Sequence, residues 1–326
     1  MRRLRPTATL LALALLAGCG GADAVRPSPP PQPVAAPAAK PVRVGLALGG
    51  GAAKGFAHIG VIKMLEANGI RIDVVAGTSA GSVVGAMYAG GMDAFALQKQ
   101  AVALDEDRIR DVRLFSGGLV QGQALQDYVN ATLAHRPIEK LRKPFAAVAT
   151  QLETGKRTVF TRGNAGQAVR ASSSIPGVFE PVRIGGASYV DGGVVSPVPV
   201  DAARQLGADV VIAVDISTKV DGTTPASLLG TVNQSITIMG QKLGEQELAR
   251  ADVVIRPKVN DIGPADFERK GAAILEGERA ALAALPQIRA RIAQLRQARA
   301  PRPALPKPRC EASRLQRLLG REPDCG

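Results

Sequence analysis

Two apolar segments near the start of the chain's body each run into a glycine-rich turn and then into a helical segment. Residues 42–48 are strand-like, a glycine cluster follows at 49–55, and residues 56–68 place apolar side chains at helical spacing. The second unit repeats this order, with an apolar run at 74–76, a small-residue turn and an apolar helix at about 80–89. Such units predict an α/β fold, in which helices cover both faces of a mostly parallel central sheet.

The later part of the chain continues this pattern. Helices are predicted at 165–173, 231–249 and about 266–299, the last of them broken at Pro286, and further strands are predicted at 145–150, 157–161, 187–190, 209–214 and 253–255. The segment 286–299 is rich in arginine and carries Ile288, Ile292 and Leu295 on one side. We expect this helix to pack on the body rather than to lie on anionic lipid.

The turn of the second unit matches the nucleophile elbow G-x-S-x-G. Gly77 and Gly81 stand two residues before and two residues after Ser79, between a predicted strand and a predicted helix. Such glycines let the backbone fold tightly enough to expose the serine hydroxyl above the sheet. Ser79 is therefore the candidate nucleophile.

The glycine cluster of the first unit has three interpretations. A P-loop would need Ser or Thr after a Gly-Lys pair, and a dinucleotide fingerprint counted from Gly49 would need glycine where Lys54 stands. An oxyanion hole needs only unobstructed backbone N–H groups beside a helix N-terminus, which Gly49, Gly50 and Gly51 would supply. The neighbouring elbow favours the oxyanion hole over a nucleotide site or a purely structural turn.

The candidate base is harder to find, because the chain has only two histidines, His58 and His135. A Ser, acid, His triad would have to use His135, which lies in a loop at a helix end, and His58 fits a packed helix residue. Asp191 follows an apolar run and precedes Gly192 and Gly193, which would allow close approach to another loop. An aspartate in an ordinary type I turn is the alternative interpretation of this motif.

At these residues the chain resembles the patatin-like phospholipase family. The similar blocks are the glycine-rich segment 49–61, the elbow at 77–81, a Ser and Pro block at 171–182 (ASSSIPGVFEPV) and the block at 191–200 (DGGVVSPVPV). Their order and spacing match across about 43–215. The resemblance implies a patatin-like three-layer fold, with a central, mostly parallel sheet flanked by helices.

The resemblance also implies a Ser-Asp dyad, with Ser79 as nucleophile, Asp191 as base and no catalytic histidine, metal or cofactor. N–H groups of the loop formed by Gly49, Gly50 and Gly51 would bind the oxyanion. A dehydrated pocket would strengthen the bond between Ser79 and Asp191. The residues that support these motifs are Lys54, Gly55, Gly77, Gly81, Gly192 and Gly193.

Two residues depart from the pattern, because many relatives have Gly and Arg where this chain has Ala52 and Lys54. Alanine at 52 would hinder the loop if that residue needs a positive φ. Lysine at 54 keeps the charge of arginine but loses its bidentate geometry. We therefore expect an intact fold with lowered activity.

The first 19 residues have the layout of a bacterial export signal with a lipidation site. An arginine-bearing start and a short apolar stretch lead to Cys19 in a lipobox-like Leu-Ala-Gly-Cys. We expect residues 1–18 to be a signal peptide, and 19–41 to be a lipidated cysteine followed by a Pro- and Ala-rich tether. Gly20 favours the outer membrane, facing the periplasm, as the location in the cell envelope.

The positive charge lies mainly outside the body. The net charge is +13, and residues 286–326 hold ten Arg or Lys against three acidic residues. With 3% aromatic residues and no Trp, the chain lacks the stacking platforms of single-stranded nucleic-acid binders, so no nucleic-acid partner is expected. We divide residues 42–326 into a catalytic core at 42–215, a helical C-terminal part at 216–300 and a basic, Pro-rich tail at 301–326. The sequence does not decide whether Cys310 and Cys325 form a disulfide.

Together these features predict a membrane-anchored serine hydrolase acting on carboxylic esters of membrane lipids, of phospholipase A, lysophospholipase or esterase type. The alternative is an envelope scaffold or binding lipoprotein that keeps the fold without turnover. The sequence does not indicate the oligomeric state.

Overall fold

The computed structural model describes residues 40–104, 120–220, 222–300 and 318–320. The predicted signal peptide, Cys19, the tether and most of the basic tail lie outside these residues. Within the described residues, eight strands form one mixed sheet: β1 (Val44–Leu48), β2 (Val74–Thr78), β3 (Phe145–Gln151), β4 (Arg157–Phe160), β5 (Val182–Ile184), β6 (Ala187–Asp191), β7 (Val210–Val214) and β8 (Val253–Ile255).

In the part of the chain that the structure describes, eight α-helices cover this sheet, together with short 3₁₀ turns such as Ala52–Gly55. They are α1 (Phe56–Ala67), α2 (Ala80–Gly90), α3 (Ala94–Val102), α4 (Gln123–Thr132), α5 (Ala165–Ser172), α6 (Val200–Gln205), α7 (Leu228–Leu248) and α8 (Lys270–Arg299). No helix in the described ranges is long and apolar enough to span a membrane.

The sheet is parallel at its centre and antiparallel at one side. The strand order is β5-β6-β3-β2-β1-β7-β8, with β4 also paired to β3. Strands β3, β2, β1, β7 and β8 run parallel, whereas β4 and β6 pair with β3 in the antiparallel direction. Strands β1, β2 and β7 are buried along their whole length, as expected for a sheet covered on both faces.

Helix α8 is continuous through Pro286, so the predicted break there is wrong. Pro286 lies on the exposed side of the helix. The carbonyl that loses its intrahelical partner can therefore be hydrated, and the opposite side stays packed. Ile288 and Ile292 are buried, so this helix does pack on the body.

Strand β3 brings two distant parts of the chain together at one edge. Strand β4 covers residues 147–150 of β3 on one side. On the other side β2 pairs with β3 as far as Thr78 opposite Val148, and β6 then takes over with Asp191 opposite Ala149. The C-terminal ends of β2 and β6 therefore meet along the same edge of β3.

Candidate active site

Ser79 occupies the strained turn between β2 and α2. Its φ of +54° and ψ of −126° are rare for a residue with a side chain. The turn is too tight for side chains at its flanking glycines. A Cβ on Gly77 would lie 2.3 Å from the Gly81 carbonyl oxygen, and one on Gly81 would lie 2.1 Å from that of Leu48. The two glycines thus have the role that the G-x-S-x-G pattern predicts for them.

Asp191 faces this serine from the end of β6. The carboxyl group is buried, and its Oδ1 accepts a hydrogen bond of 2.6 Å from the N–H of Gly193. Burial raises the pKa of Asp191 to about 6, while hydrogen bonds from the Ser79 hydroxyl and the Gly193 N–H act in the opposite direction. Oδ2 has no hydrogen bond of good geometry within the described residues, so the Ser79 hydroxyl approaches the Asp191 carboxyl with a longer or less well aligned contact than a full hydrogen bond. Such contacts commonly tighten when substrate binds.

A segment that the sequence motifs did not single out residue by residue holds both groups in place. The Ser172 hydroxyl accepts a hydrogen bond of 3.0 Å from the Ser79 N–H and donates one of 2.6 Å to the Val148 carbonyl. The Ser174 carbonyl accepts a hydrogen bond of 2.8 Å from the Asp191 N–H. The Ser and Pro block is the sequence signal that marks this segment.

The glycine loop differs from the predicted oxyanion hole in two of its three donors. The Gly49 N–H donates to the carbonyl of Val214, and the Gly50 N–H donates to that of Pro197, each at 3.0 Å. Gly49 and Gly50 are therefore not free to bind an oxyanion, because their N–H groups join the loop to the rest of the fold. Gly50 still lies close to Ser79, since a Cβ there would be 3.2 Å from the Cβ of Ser79.

Two other backbone donors near Ser79 are available. The N–H groups of Gly51 and Ala80 have no acceptor among the residues that the structure describes. Ala80 directly follows the nucleophile and begins α2, where the first N–H groups have no intrahelical partner. Ala80 was missed in the sequence, although the residue after the serine of a nucleophile elbow is a usual oxyanion donor.

Ala52 has a positive φ of +52°. This is the conformation in which alanine in place of glycine was expected to hinder the loop.

Lys54 links the glycine loop to the segment after β7 and does not line the cavity beside Ser79. It is only 1% exposed, and its Nζ donates a hydrogen bond of 2.8 Å to the Thr218 hydroxyl. Burial first, and the positive charge of Lys219 second, lower the pKa of Lys54. Gly55 gives α2 room to approach, because a Cβ there would lie 2.7 Å from that of Ala80.

Neither histidine reaches the nucleophile as a base. His58 is fully buried, and its Nε2 donates to the carbonyl of Gly49 at 2.8 Å. Burial lowers the pKa of His58 to about 4, so the ring is neutral at pH 7. His135 is exposed, has a φ of +55° and does not line the cavity at Ser79. The interpretations of both histidines as structural residues agree with these positions.

An apolar cavity of about 350 Å³ opens beside Ser79. This volume is within the range of small-molecule sites. The side chains of its wall are largely aliphatic and aromatic, among them Phe56, Val83, Val84, Leu125, Ile175 and Phe179. Within the described ranges, no group of three or more His, Cys, Asp or Glu side chains is arranged to hold a metal ion. The arrangement suits an acyl chain placed beside a serine nucleophile.

Comparison with known proteins identifies the class to which this fold belongs. Residues 46–204 match the family model described as patatin-like phospholipase. VipD from Legionella pneumophila has a similar structure, with a TM-score of 0.54 and 15% identity, covering 76% of this chain and 67% of VipD. This likeness concerns the fold alone. The fold is patatin-like, with a mostly parallel sheet between helices.

Sequence relatives agree with this class. An uncharacterized NTE family protein of Mycobacterium tuberculosis is 40% identical over 177 residues, which is 54% of this chain and 49% of the relative. Lysophospholipase NTE1 of Pyricularia oryzae is 31% identical over 278 residues, which is 76% of this chain and 18% of that protein. The chain thus spans about half or less of these relatives. Residues 46–204, just under half of the chain, form a patatin-like phospholipase domain.

Proposed function

We propose that the chain is a serine hydrolase that cleaves carboxylic esters of lipids, with Ser79 as nucleophile and Asp191 as its base. The observation that carries the proposal is the meeting of the strained Ser79, which lines an apolar cavity, with a buried carboxylate. Family membership and a lysophospholipase among the relatives support lipid esters as the substrate class.

The proposed reaction begins when the Ser79 Oγ attacks the ester carbonyl carbon and Asp191 takes the hydroxyl proton. The N–H groups of Gly51 and Ala80 stabilise the tetrahedral oxyanion. Asp191 returns its proton to the departing alcohol oxygen, which leaves an acyl group on Ser79. A water molecule then gives a proton to Asp191 and attacks the acyl carbon. Asp191 passes this proton to the Ser79 Oγ as its bond to the acyl carbon breaks, which releases the fatty acid and restores both residues. A pKa of about 6 makes Asp191 a better base near neutral pH than an ordinary aspartate.

Fatty-acid release tests this proposal. Purified full-length protein is incubated with a lysophospholipid and with a short-chain nitrophenyl ester, beside Ser79→Ala and the exposed control Ser235→Ala. Turnover by the wild type and by Ser235→Ala, with its loss in Ser79→Ala, is the expected result. No turnover by any of the three would favour the alternative, an envelope scaffold that has kept the fold without catalysis.

We also propose that a lipid on Cys19 anchors the chain in the bacterial envelope, on the outer membrane facing the periplasm. The lipobox-like sequence that supports this lies outside the described residues. Two or more acyl chains on one cysteine would give stable attachment, whereas one is marginal. Labelling cells with an alkyne fatty acid tests the anchor. Wild type should carry the label in the outer-membrane fraction, and a label that persists in Cys19→Ala would contradict the proposal.

A further inference from the structure

Three consecutive serines lie between the nucleophile and the carboxylate, and they differ in what they bind. The hydroxyl of Ser172 is engaged by the N–H of Ser79. The Ser174 hydroxyl donates within its own helix end at 2.9 Å, and the Ser174 carbonyl accepts from the N–H of Asp191. Ser173 stands between these two and is therefore held close to both reacting groups.

The Ser173 hydroxyl has no such structural partner. The residue is 8% exposed, and its Oγ is buried with no hydrogen-bond partner in the described part of the chain. It lines the apolar cavity together with Ser79. Tyr128, the one tyrosine among the described residues of this wall, already accepts a hydrogen bond at its hydroxyl from Gln100. Because a buried unpaired hydroxyl is unfavourable, a ligand atom is the natural partner for Ser173.

We propose that Ser173 forms a subsite for a hydroxyl group on the alcohol part of the substrate, next to the ester that Ser79 attacks. This inference rests on the proposed function. An unsubstituted acyl chain carries no hydrogen-bonding group and fits the apolar wall, and the ester carbonyl goes to backbone N–H groups. The polar group left close to the ester is a hydroxyl on the adjacent carbon, as in lysophospholipids and monoacylglycerols. A serine hydroxyl can both donate to it and accept from it.

A pair of lipids that differ in one hydroxyl tests the subsite. The probes are a monoacyl glycerophosphocholine and its deoxy analogue, which lacks the free glycerol hydroxyl. Wild type is expected to have a kcat/KM about 10-fold higher for the first, because one hydrogen bond in a dry site discriminates by roughly this factor. Ser173→Ala should abolish the preference, and the exposed control Ser235→Ala should keep it. A preference that survives in Ser173→Ala overturns the proposal.

Binding to inactive protein separates this inference from the proposed function. In the Ser79→Ala background, calorimetry should show tighter binding of the hydroxyl-bearing lipid, and the difference should vanish when Ser173→Ala is added. Equal binding of both lipids to Ser79→Ala overturns the subsite even if turnover is observed. Discrimination without turnover in the wild type would instead remove the proposed function and leave the subsite. A Ser173-dependent preference for nitrophenyl esters of 3-hydroxy acids would overturn the placement on the alcohol side.

Thermal unfolding distinguishes a ligand-binding role of Ser173 from a structural role, because the two roles predict different changes in Tm. Ser172→Ala removes a hydroxyl with two internal partners and should lower the Tm by about 2–4 °C. Ser173→Ala removes a hydroxyl without internal partners and should leave the Tm unchanged or raise it. A decrease in Ser173→Ala as large as that in Ser172→Ala would show that the hydroxyl serves the fold, and would overturn the proposal.

Discussion

Thr78 and Asp191 occupy consecutive positions along one edge of β3, where Thr78 pairs with Val148 and Asp191 with Ala149. Ser79 directly follows Thr78, so the register of the sheet sets the separation between the hydroxyl and the carboxylate. Phe145 to Ala149 on β3 are all buried, so this edge belongs to the rigid core. The geometry that the proposed chemistry needs is therefore fixed by strand pairing and not by mobile loops.

Replacing the buried carboxyl should stabilise the protein while it stops catalysis. Burial raises the pKa of Asp191 from 3.8 to about 6, so ionising it disfavours the folded state as pH rises from about 4 through about 6. Asp191→Asn lacks this penalty. Its free energy of unfolding should exceed that of the wild type by about 3 kcal/mol more at pH 8 than below pH 4. Urea unfolding at the two pH values measures the difference.

Asp201→Asn is the matched control, because the pKa of Asp201 is lowered by hydrogen bonds from Arg250 and Arg157. Its carboxylate stabilises the folded state above its ordinary pKa, and this contribution is lost as pH falls. Asp201→Asn should therefore be less stable than the wild type at pH 8 and closer to it near pH 3. If the free energy of unfolding of Asp191→Asn, relative to the wild type, does not grow with pH, then Asp191 is not a buried carboxyl with a raised pKa.

Glu247 on α7 should stabilise the glycine loop indirectly, through residues 196–198. Its carboxylate accepts hydrogen bonds from the Ser196 hydroxyl at 2.5 Å and the Val198 N–H at 2.8 Å. The carbonyl of Pro197, between those two residues, accepts from the N–H of Gly50. Glu247→Ala leaves these groups unpaired and should lower the free energy of unfolding by about 2–4 kcal/mol, with a slower reaction at Ser79.

Denaturant unfolding and ester hydrolysis of the Glu247 variants measure these effects. Burial raises the pKa of Glu247 to about 7, so Glu247→Gln, which keeps one acceptor and stays neutral, should lose much less stability than Glu247→Ala. The exposed neighbour Glu245 is the control, and Glu245→Ala should change stability by less than about 0.5 kcal/mol. Equal effects of Glu247→Ala and Glu245→Ala would refute a supporting role for Glu247.

Ala52 stores backbone strain that glycine would relieve. Its φ of +52° is unfavourable for a residue with a Cβ. Ala52→Gly should raise the free energy of unfolding by about 0.5–1 kcal/mol, since relief of the strain exceeds the extra freedom of glycine in the unfolded chain. Ala134 has the same φ far from the cavity, so Ala134→Gly should shift stability in the same direction.

Ala283, an exposed residue of α8, provides the opposite control. With ordinary helical geometry, Ala283→Gly should lower the free energy of unfolding by about 1 kcal/mol. Thermal or urea unfolding of the three variants, each against wild type, checks the set. Ala52→Gly behaving like Ala283→Gly would contradict the assignment of strain to the glycine loop.

The strands and turns around the nucleophile could be predicted because their cause is local. The apolar runs of β1 and β2 and the glycine at 77 act within a few residues. Gly81 packs against the distant Leu48, but the local G-x-S-x-G spacing marks it in the sequence. Helices α3, α4 and α6 and strand β5 were not predicted. Strand β5 and helix α6 are only 3 and 6 residues long, and helices α3 and α4 bury only two or three apolar side chains each, so few apolar positions mark these elements in the sequence.

The oxyanion donors illustrate what sequence alone could not provide. The glycine pattern marks the loop, but the N–H groups of Gly49 and Gly50 are taken by carbonyls of Val214 and Pro197, which come much later in the chain. Which N–H remains free depends on this tertiary pairing. The continuity of α8 through Pro286 has a similar origin, because packing of its buried side outweighs the local cost of proline.

The most direct test of the central claim is the site and pH dependence of covalent labelling by a fluorophosphonate. We predict a single adduct, mapped by tandem mass spectrometry to Ser79, that forms faster as pH rises through about 6, where Asp191 loses its proton. Asp191→Asn should slow labelling by about 10²–10⁴-fold while the protein stays folded. An adduct on another serine, or labelling of Asp191→Asn at the wild-type rate, would contradict the account.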